Sequence, residues 1–137
     1  MTTKEWFSRG RRLESHINRL LQTKQDEWDK LTKITANTNG DTVQATKDPH
    51  KYDGYADLCY YIDTEVDRLE RIKAEIMQTI LKLRDLRYRD ILIGYYVNMK
   101  SFEQIAVEMR YSYVHVTRLH GWALKAAERL LKDDKEC

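Results

Sequence analysis

Arg118, Thr117 and Tyr113 are the side chains whose types and spacing point to one definite chemistry. A guanidinium at Arg118 can pair both acceptors on a guanine edge, and Thr117 and Tyr113 can meet a thymine methyl or the nucleic-acid backbone. They can do so only if a helix presents them together, and the segment from Ser101 to His120 carries the signals to build it. Ser101, with Gln104 three residues on, forms a capping box. Ile105, Ala106 and Met109 then share one helical face, and the small Ala106 permits a close crossing. After a break at Arg110-Tyr111, Ser112 caps a second helix whose Val116 and Leu119 point back at the first. Ser112, Tyr113, Val114, Thr117, Arg118 and Gly121 are left facing outward, where the second helix of a helix-turn-helix enters the major groove. Lys100, Ser101 and Lys125 flank that face and are assigned to phosphates. The expected partner is double-stranded DNA; the competing reading of Arg118 is a salt bridge to an acidic neighbour.

The rest of the chain must hold this segment and bring copies of it together. Thr2 and Glu5 make a capping box for a first helix, and no proline interrupts the run from Thr3 to Ile34. Trp6, Leu13, Ile17, Leu20 and Leu31 form its apolar stripe, with Trp28 beside it. Residues 32–54 turn polar and read as a long loop. In the second helix Tyr55, Ile62, Leu69, Ile76 and Leu83 recur every seventh residue, Leu58, Ile72 and Leu86 fill the alternate seam, and Glu65 and Thr79 interrupt it. Asp67, Arg71 and Glu75 mark its exposed face. Asp85 is placed as the cap of the next helix. The fold class is therefore all-α: a long helical hairpin or coiled-coil segment over residues 1–84, then a helix-turn-helix module over 85–137. Periodicity does not say whether the two long helices pair within one chain or between chains. Val66, Met77 and Ile80, off the main seam, are available for a second copy, so a homo-oligomer is expected, a dimer first. Trp122, Ala123, Ala126 and Leu130 are expected to pack the last helix onto the module.

From Asp85 to Leu131 the chain resembles the fourth region of bacterial sigma-70 factors. Arg87-Tyr88-Arg89-Asp90-Ile91-Leu92 resembles its leading helix, Tyr96-Val97-Asn98-Met99-Lys100-Ser101-Phe102 the turn into the motif, and Val116-Thr117-Arg118-Leu119-His120 the recognition helix. Small phage transcription regulators, the late-gene activators of the ArpU and RinA kind, carry a similar module behind a helical N-terminal half. That resemblance implies a sequence-specific phage or prophage regulator, acting in the cytoplasm of a bacterial host. Alternatives are a DNA-recognition small terminase subunit, which also joins such a motif to an oligomerising segment, and a module that docks on RNA polymerase. Two positions depart from the family. Its turn usually carries glycine where this chain has Arg110, at a cost of roughly 1 kcal/mol if Arg110 is left-handed. Leu86 stands where family members often have proline.

Composition narrows the field further. Charged residues are 34% and hydrophobic residues 42% of 137, enough for a modest core. One proline and five glycines suit long helices. Ile91–Met99 is the longest uncharged run of the C-terminal half, too short to span a bilayer, and no signal peptide opens the chain, so no membrane role is expected. Cys59 and Cys137 argue for a reducing compartment rather than a disulfide. The net charge of +2 is weak for a nucleic-acid binder, so useful affinity is expected from several copies. His16, His50, His115 and His120 are scattered, with no partners at metal-ligand spacing, and His115 and His120 each read as a surface or phosphate-contacting side chain. Neither catalytic residues, cofactor nor metal is expected, and no glycine-rich phosphate loop is present.

Overall fold

The computed structural model describes residues 1–36 and 49–136, and all the regular structure among them is helical. The elements are α1 (Thr3–Ala36), α2 (Asp53–Ile80), α3 (Leu86–Leu92), a π-helical turn (Ile93–Val97), α4 (Phe102–Met109) and α5 (Tyr113–Glu136). The all-α class read from the sequence is thus what is observed. Both ends of the expected loop are instead helical, since α1 runs to Ala36 and α2 starts at Asp53; residues 37–48 of it lie outside the described residues.

Helix starts follow local chemistry. The Thr2 Oγ1 accepts from the Glu5 amide at 3.1 Å while the Glu5 carboxylate accepts from the Thr2 amide at 3.1 Å, closing the box at α1. Asp85 caps α3, accepting from the Arg87 amide at 2.9 Å. The helix of the heptads ends sooner than its sequence period. α2 stops at Ile80, and Leu83, although buried, sits in the turn that follows. Leu86, assigned to the alternate seam, is exposed on α3. Ile80 is fully buried rather than available to a second chain, because residues of α3, the π-helical turn and α5 pack in one core with it.

Packing divides the described chain into two compact units, with boundaries at Leu13/Glu14 and Arg68/Leu69 rather than between 84 and 85. The first contains residues 1–13 and 69 onward. Its core joins Phe7, Ile76, Ile80, Leu83, Leu92, Tyr96, Ala123 and Ala127, and a second cluster joins Ile91, Ile105, Ala106, Val116 and Leu119. The start of α1 thus belongs to the same body as α3–α5, a long-range contact that no local pattern announces. In the other unit, residues 14–68, the described parts of α1 and α2 form an antiparallel pair. There the His16 ring meets Tyr61, and Trp28 meets Tyr55 with centroids 5.3 Å apart, so these segments pair within one chain. Among its described residues Ile17, Ile62 and Glu65 are buried, the Glu65 carboxylate lying 3.5 Å from the Arg68 guanidinium. Tyr60 and Tyr61 are exposed, as is Val66.

Candidate nucleic-acid interface

The α4–turn–α5 segment is positioned from both sides. Behind α4, the π-helical turn lets the chain approach closely. Gly94 is buried there, and a Cβ at that position would lie 3.1 Å from the Ile105 side chain, tighter than ordinary contact. The turn aims Tyr96 inward, where its ring packs on Phe7 at 5.4 Å. Tyr95 stacks face to face on Phe102, the first residue of α4, at 4.2 Å. Arg11 of α1 covers the other face of this junction. Its guanidinium lies 3.9 Å from the Tyr95 ring centroid and donates to the carbonyls of Tyr95 at 2.7 Å and Lys100 at 3.4 Å. Arg11 and Phe7 escaped sequence reasoning because they lie more than eighty residues from what they hold.

Both caps form as their residue types require. Ser101 Oγ accepts from the Gln104 amide at 3.2 Å, and the Gln104 side chain accepts from the Ser101 amide at 2.9 Å. Ser112 Oγ accepts from the His115 amide at 3.1 Å. Between them Arg110 adopts φ 59°, ψ 40°, the left-handed conformation that glycine would take without a Cβ penalty. Its amide donates toward Ala106 and Val107 carbonyls, closing the end of α4. Ile105, Ala106, Val116 and Leu119 are buried together, which seats α4 against α5.

That seating decides what α5 offers to solvent. Tyr113, Thr117, Gly121 and Lys125 follow one another at intervals of four, with Val114 and Arg118 alongside. Ser112, Tyr113, Val114, Arg118 and Lys125 are exposed, and Thr117 and Gly121 half-buried. A Cβ at Gly121 would meet nothing within 4 Å, so the helix surface is open at that point. Arg118 makes no hydrogen bond or ion pair with any described residue, which leaves its five donors for a ligand. Thr117 Oγ1 donates to the Val114 carbonyl at 2.8 Å, turning its hydroxyl to the helix. Lys100 is not free: its Nζ lies 2.7 Å from the Glu108 carboxylate. Ser101 and Ser112 act here as caps.

Two residues stand differently from their sequence reading. His120 is 8% exposed rather than on the surface. It shares the stripe of Val116, Leu119, Ala123 and Ala127, all at helical spacing, and its Nε2 lies 2.7 Å from the Tyr96 hydroxyl. Burial, and secondarily the charge of Lys4, push its pKa down to about 4, and burial pushes the Tyr96 phenol up. Both groups are thus neutral in the folded protein near pH 7. Trp122, by contrast, is 48% exposed rather than core. It falls outside that stripe and follows Val114 and Arg118 at intervals of four, on the open side of the helix. Ala123 is buried, and Ala126 and Leu130 pack on the core as their spacing implies.

Among the described residues no three His, Cys, Asp or Glu side chains are grouped to hold a metal ion, and no helix is long and apolar enough to cross a membrane. No protein-family model, curated protein or solved structure matches this chain.

Proposed function

We propose that this chain is a sequence-specific DNA-binding transcription regulator of the phage type, with the first turns of α5 entering the major groove. The observation that carries the reading is the exposed, unpaired Arg118 among Tyr113, Val114 and Thr117 on a helix whose opposite side is anchored in a core. An arginine in that setting can read guanine bidentately, and the capped N-terminus of α5 directs a positive dipole end at phosphate. Lys125 extends the face, whereas Lys100 must exchange Glu108 for phosphate before it contributes. With one module so lightly charged, affinity comes from paired copies. Residues 14–68 supply the means, since Leu21, Trp28, Tyr52 and Val66 there are large, apolar or aromatic, and exposed.

The test is selection of bound duplexes from a random pool by the full chain. The outcome expected is two half-sites in inverted order, about one helical turn or a multiple apart. Arg118→Ala should then weaken binding by ~1–3 kcal/mol and relax preference at one base pair per half-site. A pool that yields no enriched sequence overturns the reading. It would favour docking on a protein such as RNA polymerase, for which Val107, 78% exposed, and Trp122 offer apolar contacts.

A further inference from the structure

The first turns of α1 and the last turns of α5, both in the unit of residues 1–13 and 69 onward, line a cleft of about 500 Å³. That volume lies within the usual range for small-molecule sites, roughly 300–1,000 Å³. Its apolar lining is Met1, Trp6, Leu124 and Leu131. Trp6 is held in place, edge-on to Phe7 at 5.0 Å and beneath the Arg9 guanidinium at 4.7 Å, so the apolar wall exists before any ligand arrives. Around it stand Lys4, Lys125, Lys132 and Glu128. Glu128 and Lys132 neutralise each other at 3.2 Å. Lys4 and Lys125 have no ion-pair partner among the described residues, and Lys4 lies close enough to α5 for its charge to act on the buried His120. The cleft therefore joins an apolar wall to two uncompensated positive charges.

We infer that this cleft is a binding site for a small amphiphilic anion, a carboxylate on an apolar body of medium-chain length. The hydrocarbon displaces water from Trp6, Leu124 and Leu131, while Lys4 and Lys125 hold the carboxylate at the rim through charge-assisted hydrogen bonds. A neutral alcohol of the same length keeps the first contribution and lacks the second. A cation of that length is repelled. This site needs no DNA to be occupied, so it stands or falls apart from the function proposed above.

Calorimetry on the full chain with decanoate, decanol and decyltrimethylammonium, each below micelle-forming concentration, tests it. The expected result is saturable binding of one decanoate per chain, with decanol at least about tenfold weaker and the cation weaker still. The Lys4→Gln/Lys125→Gln variant should bind decanoate no better than decanol. Location is read from fluorescence in a Trp28→Phe/Trp122→Phe variant, where Trp6 is the one tryptophan left and both replaced rings are half-exposed. Decanoate should change its emission with the calorimetric affinity. Equal affinity for decanoate and decanol, non-saturable uptake, or silence at Trp6 overturns the inference. The comparison of the three ligands on the unaltered chain decides the matter even if a variant fails to fold.

Discussion

The two packed units of this chain use the same kind of material, amphipathic helix, with very different results. Of sixteen buried hydrophobic residues among those described, fourteen lie in the unit of residues 1–13 and 69 onward, and two, Ile17 and Ile62, in the unit of residues 14–68. The first unit crosses several short helices, so each apolar stripe meets others on more than one side. The second has a single seam between two helices, and a seam leaves the flanks of both exposed. Large rings at Trp28, Tyr52, Tyr60 and Tyr61 stay in solvent as a consequence. One unit is built to hold a surface in place, and the other is built with surface to spare.

Substitution of a core ring against an exposed one puts that contrast under the largest strain. Tyr96→Ala should destabilise the chain by roughly 3–5 kcal/mol in denaturant melts, because it removes a fully buried ring that joins Phe7 to His120. Tyr60→Ala, at a position 77% exposed, should stay within about 0.5 kcal/mol. A Tyr60 effect as large as that of Tyr96 would break the comparison and show residues 14–68 buried in an assembly.

Acid titration probes the same core more gently. The His120 pKa falls from 6.5 unfolded to about 4 folded, so the unfolded chain takes up the proton first as pH drops. Stability from this group is therefore complete above about pH 6.5 and is lost as pH falls toward 4. Melts across that window should show the decline, and His120→Gln should reduce its slope. An unchanged slope would mean that His120 is not held neutral by its burial.

Smaller effects sharpen the picture at the interface itself. Arg110→Gly should raise stability by about 1 kcal/mol in chemical denaturation, since φ at this position is 59°. No gain would mean that the arginine side chain contributes packing or charge that offsets its backbone cost. Smallest of all, Trp122→Ala should shift the melt by no more than about 0.5 kcal/mol, where a core tryptophan would cost several times that. A large loss would return Trp122 to the core and remove it from the exposed face of α5.

Legibility followed the range of the interactions. The caps at Thr2, Asp85, Ser101 and Ser112 form between residues two or three apart, and each was readable from residue type and spacing alone. The outward set Tyr113, Val114 and Arg118 was readable in the same way, because a helix anchored by Val116 and Leu119 has little choice about its other side, whereas the left-handed conformation at Arg110 was suggested only by the glycine usual at that place in the family the segment resembles. His120 and Trp122 were readable in principle, since the stripe through Val116, Leu119, Ala123 and Ala127 includes one and omits the other. Reading His120 by its polarity and Trp122 by its size overrode the period that places them.

What spacing could not supply is the partner of each face. The heptads of α2 run on past Ile80 in the sequence, yet the helix stops there. Leu83 stays buried beside Ile80 and Tyr96, while Leu86 does not. Phe7, Gly94 and Arg11 acquire their roles from residues brought near by folding, with Arg11 reaching the Tyr95 and Lys100 carbonyls from the first turns of α1. Local hydrogen bonds and helical periodicity are properties of a dozen neighbouring residues, and they dictated the helices, their caps and the outward face of α5. Which apolar stripe met which other, and hence the π-helical turn, the buried Tyr96–His120 pair and the cleft beside Trp6, was set by long-range burial, whose energy depends on area covered and not on sequence distance.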